Sequence, residues 1–162
     1  MTHELRRNDL EITDAAEIDR ILSAARYATL AVADGEQPYA VTLSCGYDSA
    51  RSRLCFHVAR QGRKLDIIAA NPRACATVIG DLGYKVGECA HPYESVVMFG
   101  RLRLLDDPDE ARSAMRVLVT QLESPEAEAE IWERNQLDAP EALLRFRMLV
   151  FEIDDLTAKT GQ

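Results

Sequence analysis

YATLAVADGEQPYAVTLSCGYD, residues 27–48, is the stretch that decides the fold. Its first part, YATLAVA (27–33), has the short-period pattern of a strand. Asp34-Gly35 follows, a tight-turn signal in which glycine supplies positive φ at no steric cost. PYAVTLSCGY (38–47) then returns as a second strand. An antiparallel hairpin is therefore expected.

The same reading extends downstream. RLCFHVA (53–59), RACATVIGD (73–81), YESVVMFGRLRLLD (93–106) and LLRFRMLVFEIDDL (143–156) read as four further strands. Gly100 inside the fifth predicts a bulge or bend that curls the sheet. Helices fill the remainder. Asp14 and Glu17 form a capping-box pattern, and Ala15, Ile18, Ile21, Leu22 and Ala25 repeat at helical spacing over 14–26. RQGRKLDIIAAN reads as a short helix that Asn71-Pro72 ends. Asp107-Pro108 starts a helix with Ala111, Ala114, Met115, Leu118, Val119 and Leu122 on one face, and residues 125–135 form an acidic helix. Residues 82–92 read as a loop. Six strands that do not alternate one-for-one with helices argue against a doubly wound parallel sheet. The expectation is a mainly β single domain over 1–162: an antiparallel sheet closed into a small barrel, which removes exposed edges. Helices sit at the N-terminus and before the last strand.

The chain has 162 residues and a net charge of −8, with 47% hydrophobic and 28% charged residues. That composition is globular, and an acidic chain is a poor general binder of nucleic acid. No apolar run has the length of a signal peptide or a membrane span, so the expectation is a cytoplasmic protein with no membrane partner. Cys45, Cys55, Cys75 and Cys89 form no CxxC, and Cys89 with His91 supplies only two ligands, so no metal site is expected.

The charge is unevenly spread. Residues 104–141 hold eleven acids and three bases, and so carry the whole −8; residues 51–73 hold six bases and one acid. The sharpest basic feature is Gln61-Gly62-Arg63-Lys64 at a strand-to-helix junction. Helix N–H groups, a glycine that admits close approach, and adjacent Arg and Lys suit a phosphate. The competing reading is a solvated charge run that starts an ordinary helix. Neither GxxxxGK[ST] nor GxGxxG is present. In RLCFHVA, Leu54, Phe56 and Val58 share one face, with Cys55 and His57 on the other. His57 is then either a hydrogen-bonded histidine on a half-exposed face or a neighbour of a ligand held at Arg63-Lys64. His91 reads as a solvated loop residue, and His3 as a terminal one. No nucleophile–base motif is apparent.

ARYATLAV, QPYAVTLSCGYD, FHVARQGRKLDII, NPRACATV and YESVVMFGRLRLLDD, taken in order, resemble the pyridoxamine-phosphate-oxidase-like split-barrel flavoproteins, most of all the nitroimidazole-resistance-related branch. The resemblance covers roughly residues 6–160. It implies a six-stranded antiparallel split barrel, Greek-key-like, and a homodimer with FMN in interface clefts. It implies that Tyr39, Ala40, Val41, Thr42, Leu43 and Ser44 run along the isoalloxazine, and that Arg63 and Lys64, after Gly62, clamp the phosphate. His57 and Val58 lie nearby, and Ser95 reaches the ring. In the nitroimidazole-resistance branch, the histidine matching His57 is a proposed active-site residue. The vitamin-B6 oxidase itself has lysine at Ser44, glutamine at Ser95 and an Arg-rich C-terminal segment absent here, so that activity is not expected.

The first functional expectation is an FMN-dependent oxidoreductase that passes electrons from a reduced nicotinamide to a small acceptor, nitroaromatics among the candidates. The alternatives are a non-catalytic flavin carrier and a heme-binding split barrel with His57 or His91 as axial ligand. An interaction module built on the acidic helices ranks last.

Overall fold

The computed structural model describes residues 7–139, 141–142 and 145–161. Its strands are β1 (Glu11–Ile12), β2 (Tyr27–Asp34), β3 (Gln37–Ser44), β4 (Gly46–Asp48), β5 (Arg53–Val58), β6 (Arg73–Asp81), β7 (Tyr93–Leu104) and β8 (Arg147–Gly161). Its helices are α1 (Ala15–Ala24), α2 (Arg63–Ala70), α3 (Pro108–Leu122) and α4 (Pro125–Arg134). Three helices start as their cap residues dictate. Asp14 accepts from the Ala16 N–H, Asp107 from Glu110 and Ser124 from Ala127, and Pro108 and Pro125 open α3 and α4.

The strands form one antiparallel sheet in the order β3-β2-β6-β7-β8-β5-β4, with β1 against β8. Its two ends, β3 and β4, are separated in the chain by Cys45 alone. They are two halves of one bent strand, and the sheet therefore returns on itself as a barrel. Setting aside the two-residue β1, this gives the six strands expected. The bend has a local cause. Cys45 is buried and its N–H donates to the Arg26 carbonyl (3.2 Å). Gly46 lies so close to α3 that a Cβ there would sit 2.6 Å from Leu118 Cα.

At Gly100 the β7–β8 register slips, Phe99 facing Asp155 while Gly100 faces Ile153. A Cβ at Gly100 would collide with the Glu152 carbonyl oxygen, so glycine is required where β8 crosses. The last strand begins at Arg147 and runs to Gly161, further than the 143–156 expected; Leu143 and Leu144 lie outside the described residues, as does His3. The extension, TAKTG (157–161), has no hydrophobic period to announce it, and it is fixed by pairing with β7 and β1.

Two cores result. Leu30, Leu54, Phe56, Val78, Met98 and Phe151 fill the barrel, closed by Leu22 of α1 and Ile68 of α2. Cys55, Met148 and Val150, on the outer face of β5 and β8, pack against Ala114, Met115 and Leu118 of α3, with Trp132 of α4. Burial raises both Cys45 and Cys55 to a pKa of about 12, which makes them inert apolar fillers. Among the described residues no helix is long and apolar enough to cross a membrane.

Candidate functional site

The barrel has a seam. Among the described residues β3 pairs with β2 only, leaving its other edge without a ladder. β4 pairs with Arg53–Cys55 and stops, so among the described residues Phe56, His57 and Val58 of β5 have no ladder on that side. The two unpaired edges lie side by side. The break at Cys45 thus interrupts the ladder between residues 39–44 and 56–58, and β5 leads from there through Arg60, Gln61 and Gly62 into α2.

Gly62 caps α2 at φ 140°, a conformation open to glycine, and no other part of the described chain comes within 4 Å of where its Cβ would be. Arg63 and Lys64 form the first turn. The Arg63 guanidinium lies over the Tyr39 ring, 5.3 Å from its centroid, and its Nη2 donates to Asp34 Oδ2 at 3.2 Å. Along β3, Ala40, Thr42 and Ser44 are exposed, while Tyr39, Val41 and Leu43 pack half-buried against the barrel interior. Val58 points into the core, so only its backbone can face a ligand.

His57 sits on the outer face of β5, as strand alternation requires. Its ring meets Phe146 edge-on at 4.9 Å, and both line a cavity of about 420 Å³ walled by Met115, Leu118, Leu122 and Ile131. Although the imidazole reaches solvent, these apolar neighbours lower its pKa, which favours the neutral ring. Among the described residues its nitrogens have no hydrogen-bond partner.

Ser95 is elsewhere. It is buried on β7, in a cavity of about 520 Å³ shared with Thr77, Asp81, His91, Tyr93 and Lys159. Asp81 Oδ1 and His91 Nε2 are 2.9 Å apart, and the contact holds the carboxyl of Asp81 below its ordinary pKa. His91 is thus exposed but not merely solvated. The distance from His57 is readable on β8: His57 faces Met148 and Ser95 faces Lys159, eleven residues further on. Fully extended chain of that length spans at most about 35 Å, and the two side chains line separate cavities. One chain brings Tyr39 and Arg63 together, places His57 on β5 in the cavity under α3 and α4, and leaves Ser95 in a third place.

Sequence reasoning missed Asp34, Phe146 and the Asp81–His91 pair. Asp34 was visible only as a turn residue, Phe146 only as part of a strand, and the pair is ten residues apart across a loop. No local period links any of them to the seam or to the Ser95 cavity.

Comparisons with known proteins agree with this architecture. A protein from Bacteroides thetaiotaomicron described as a candidate 5-nitroimidazole antibiotic resistance protein superposes with a TM-score of 0.72 at 20% identity, covering 98% of this chain and 96% of that one. A flavocytochrome from Azotobacter vinelandii gives 0.77 at 19%, covering 99% and 73%. A FAD-binding protein from Mesorhizobium loti gives 0.62 at 25%, covering 92% and 96%. The first two likenesses establish the fold alone. Among curated proteins there is no significant match. The family model described as pyridoxamine 5'-phosphate oxidase matches residues 14–160, nearly the whole barrel with its helices, and the chain belongs to that family.

Proposed function

We propose that the protein is an FMN-binding flavoprotein that acts as an oxidoreductase on a small acceptor. The seam between β3 and β5 carries this reading. It offers unpaired backbone groups along Tyr39, Ala40, Val41, Thr42, Leu43 and Ser44, and it ends at Gly62, Arg63 and Lys64 on a helix N-terminus. A flat polar ring with a phosphate tail suits those two parts. The flavin-binding description of the Mesorhizobium loti protein supports the same class of ligand. When bound, flavin supplies electron transfer between a reduced nicotinamide and an acceptor. The chain's own residues anchor the phosphate, hold the ring edge by backbone hydrogen bonds and shield it from water. The apolar cavity beside His57 is large enough for a small aromatic acceptor, a nitroaromatic in this reading, and the neutral imidazole supplies one hydrogen bond there.

That His57 and Ser95 line separate cavities favours a homodimer, in which a second copy brings its Ser95 to a flavin seated near His57. The outward side of β2, β6 and β7 supports it. Tyr27, Ile79 and Phe99 are exposed there, whereas the opposite side of the barrel is covered by α3 and α4.

An absorption spectrum of the purified protein with and without added FMN tests the proposal. Flavin bands shifted by the protein are expected. A colourless protein that leaves FMN free, or a Soret band with hemin lost on His57→Ala, would overturn it. Flavin that binds but is not bleached by NADH or NADPH would leave a carrier.

A further inference from the structure

The phosphate-binding arginine does not stand free. Asp34, in the β2–β3 hairpin turn, accepts from Arg63 Nη2, and Asp66 lines the same cavity of about 480 Å³. The turn brings this carboxylate there because Asp34 and Gln37 are the hydrogen-bonded pair that closes the hairpin, with Gly35 at φ 61°. Both partners are largely exposed, so the pair is weak and exchangeable. A phosphate dianion carries more charge than the carboxylate and matches the guanidinium fork, so it displaces Asp34, but against a nearby like charge.

Resting on the flavin reading, we infer that Asp34 sets the affinity and specificity of this site: it occupies Arg63 until a phosphate-bearing ligand replaces it, and so penalises phosphate binding without touching the ring. Asp34 is a positioning residue for Arg63.

The test uses the full chain with Asp34→Asn, which keeps a turn-compatible residue. Dissociation constants for FMN and riboflavin are measured by fluorescence quenching in wild type, Asp34→Asn, Arg63→Ala and the double variant. The expected result is FMN binding at least threefold tighter in Asp34→Asn, riboflavin unchanged, and the gain lost when Arg63 is also alanine. Unchanged or weaker FMN binding overturns the inference, and so does equal tightening of riboflavin. If no variant binds either flavin, the functional proposal fails, and inorganic phosphate decides this one. Titration followed at the Arg63 Nε–H resonance then gives tighter phosphate binding in Asp34→Asn, or the inference falls.

Discussion

At the scale of single residues, the least obvious feature is a buried arginine. Arg53 on β5 is 2% exposed, where an unpaired charge would be costly, and it is held by Asp48 Oδ2 (3.1 Å) and Glu110 Oε1 (2.5 Å). Glu110 also accepts from Arg103, which reaches Glu152 as well. Hydrogen bonding to Arg103, and then to Arg53, pulls the Glu110 carboxyl down from 4.5 to about 2. A depressed carboxylate contributes stability that is fully present above its unfolded value and is lost as pH falls through the folded one. Unfolding followed against pH should therefore show this contribution disappearing between about pH 4.5 and 2, with no change above. Glu110→Gln leaves Arg53 with one carboxylate, and urea denaturation should show a loss of roughly 2–4 kcal/mol at neutral pH. His57 behaves oppositely in origin. Its apolar walls lower its pKa below 6.5, so protonation costs stability as pH drops below that value. Phe146→Ala opens the wall, and NMR titration should show the His57 pKa moving up toward 6.5.

At the scale of elements, the bends matter more than the straight runs. Gly46 and Gly100 sit where two elements cross closer than a Cβ allows. Gly100→Ala should cost about 3 kcal/mol or more by thermal unfolding, because its clash is with backbone and not with a side chain that can move. The cap at α3 is ordinary by comparison. Asp107→Ala removes one hydrogen bond to Glu110 N, and about 1 kcal/mol is expected in the same assay. Most elements were legible from the sequence, because Asp14, Asp107 and Pro108 announce helices and residues 27–48 announce a hairpin. The break at Cys45 was not legible. PYAVTLSCGY reads as one strand, and it becomes two where the Cys45 N–H turns back to the Arg26 carbonyl and Gly46 packs against α3.

At the scale of the whole molecule, one side of the barrel is dressed by α3 and α4, and among the described residues the other exposes Tyr27, Ile79 and Phe99. If that other face carries the proposed second copy, Phe99→Asp places a charge in its middle. Light scattering after gel filtration should show a monomer, with FMN binding weakened at least tenfold and the fold intact by circular dichroism. A dimer that persists with unchanged FMN affinity counts against the shared site.

The sequence by itself determined most of the strands, the helix starts, the basic island at Arg63-Lys64 and the family, because hydrophobic period, caps and charge runs are local properties of the chain. Only the tertiary structure decided that the long second strand breaks into a seam, that Asp34 holds Arg63, that Phe146 covers His57 and that Ser95 stands apart. Each of those depends on which distant segments the closing barrel brings together, and contacts across such separations leave no period in the sequence to read.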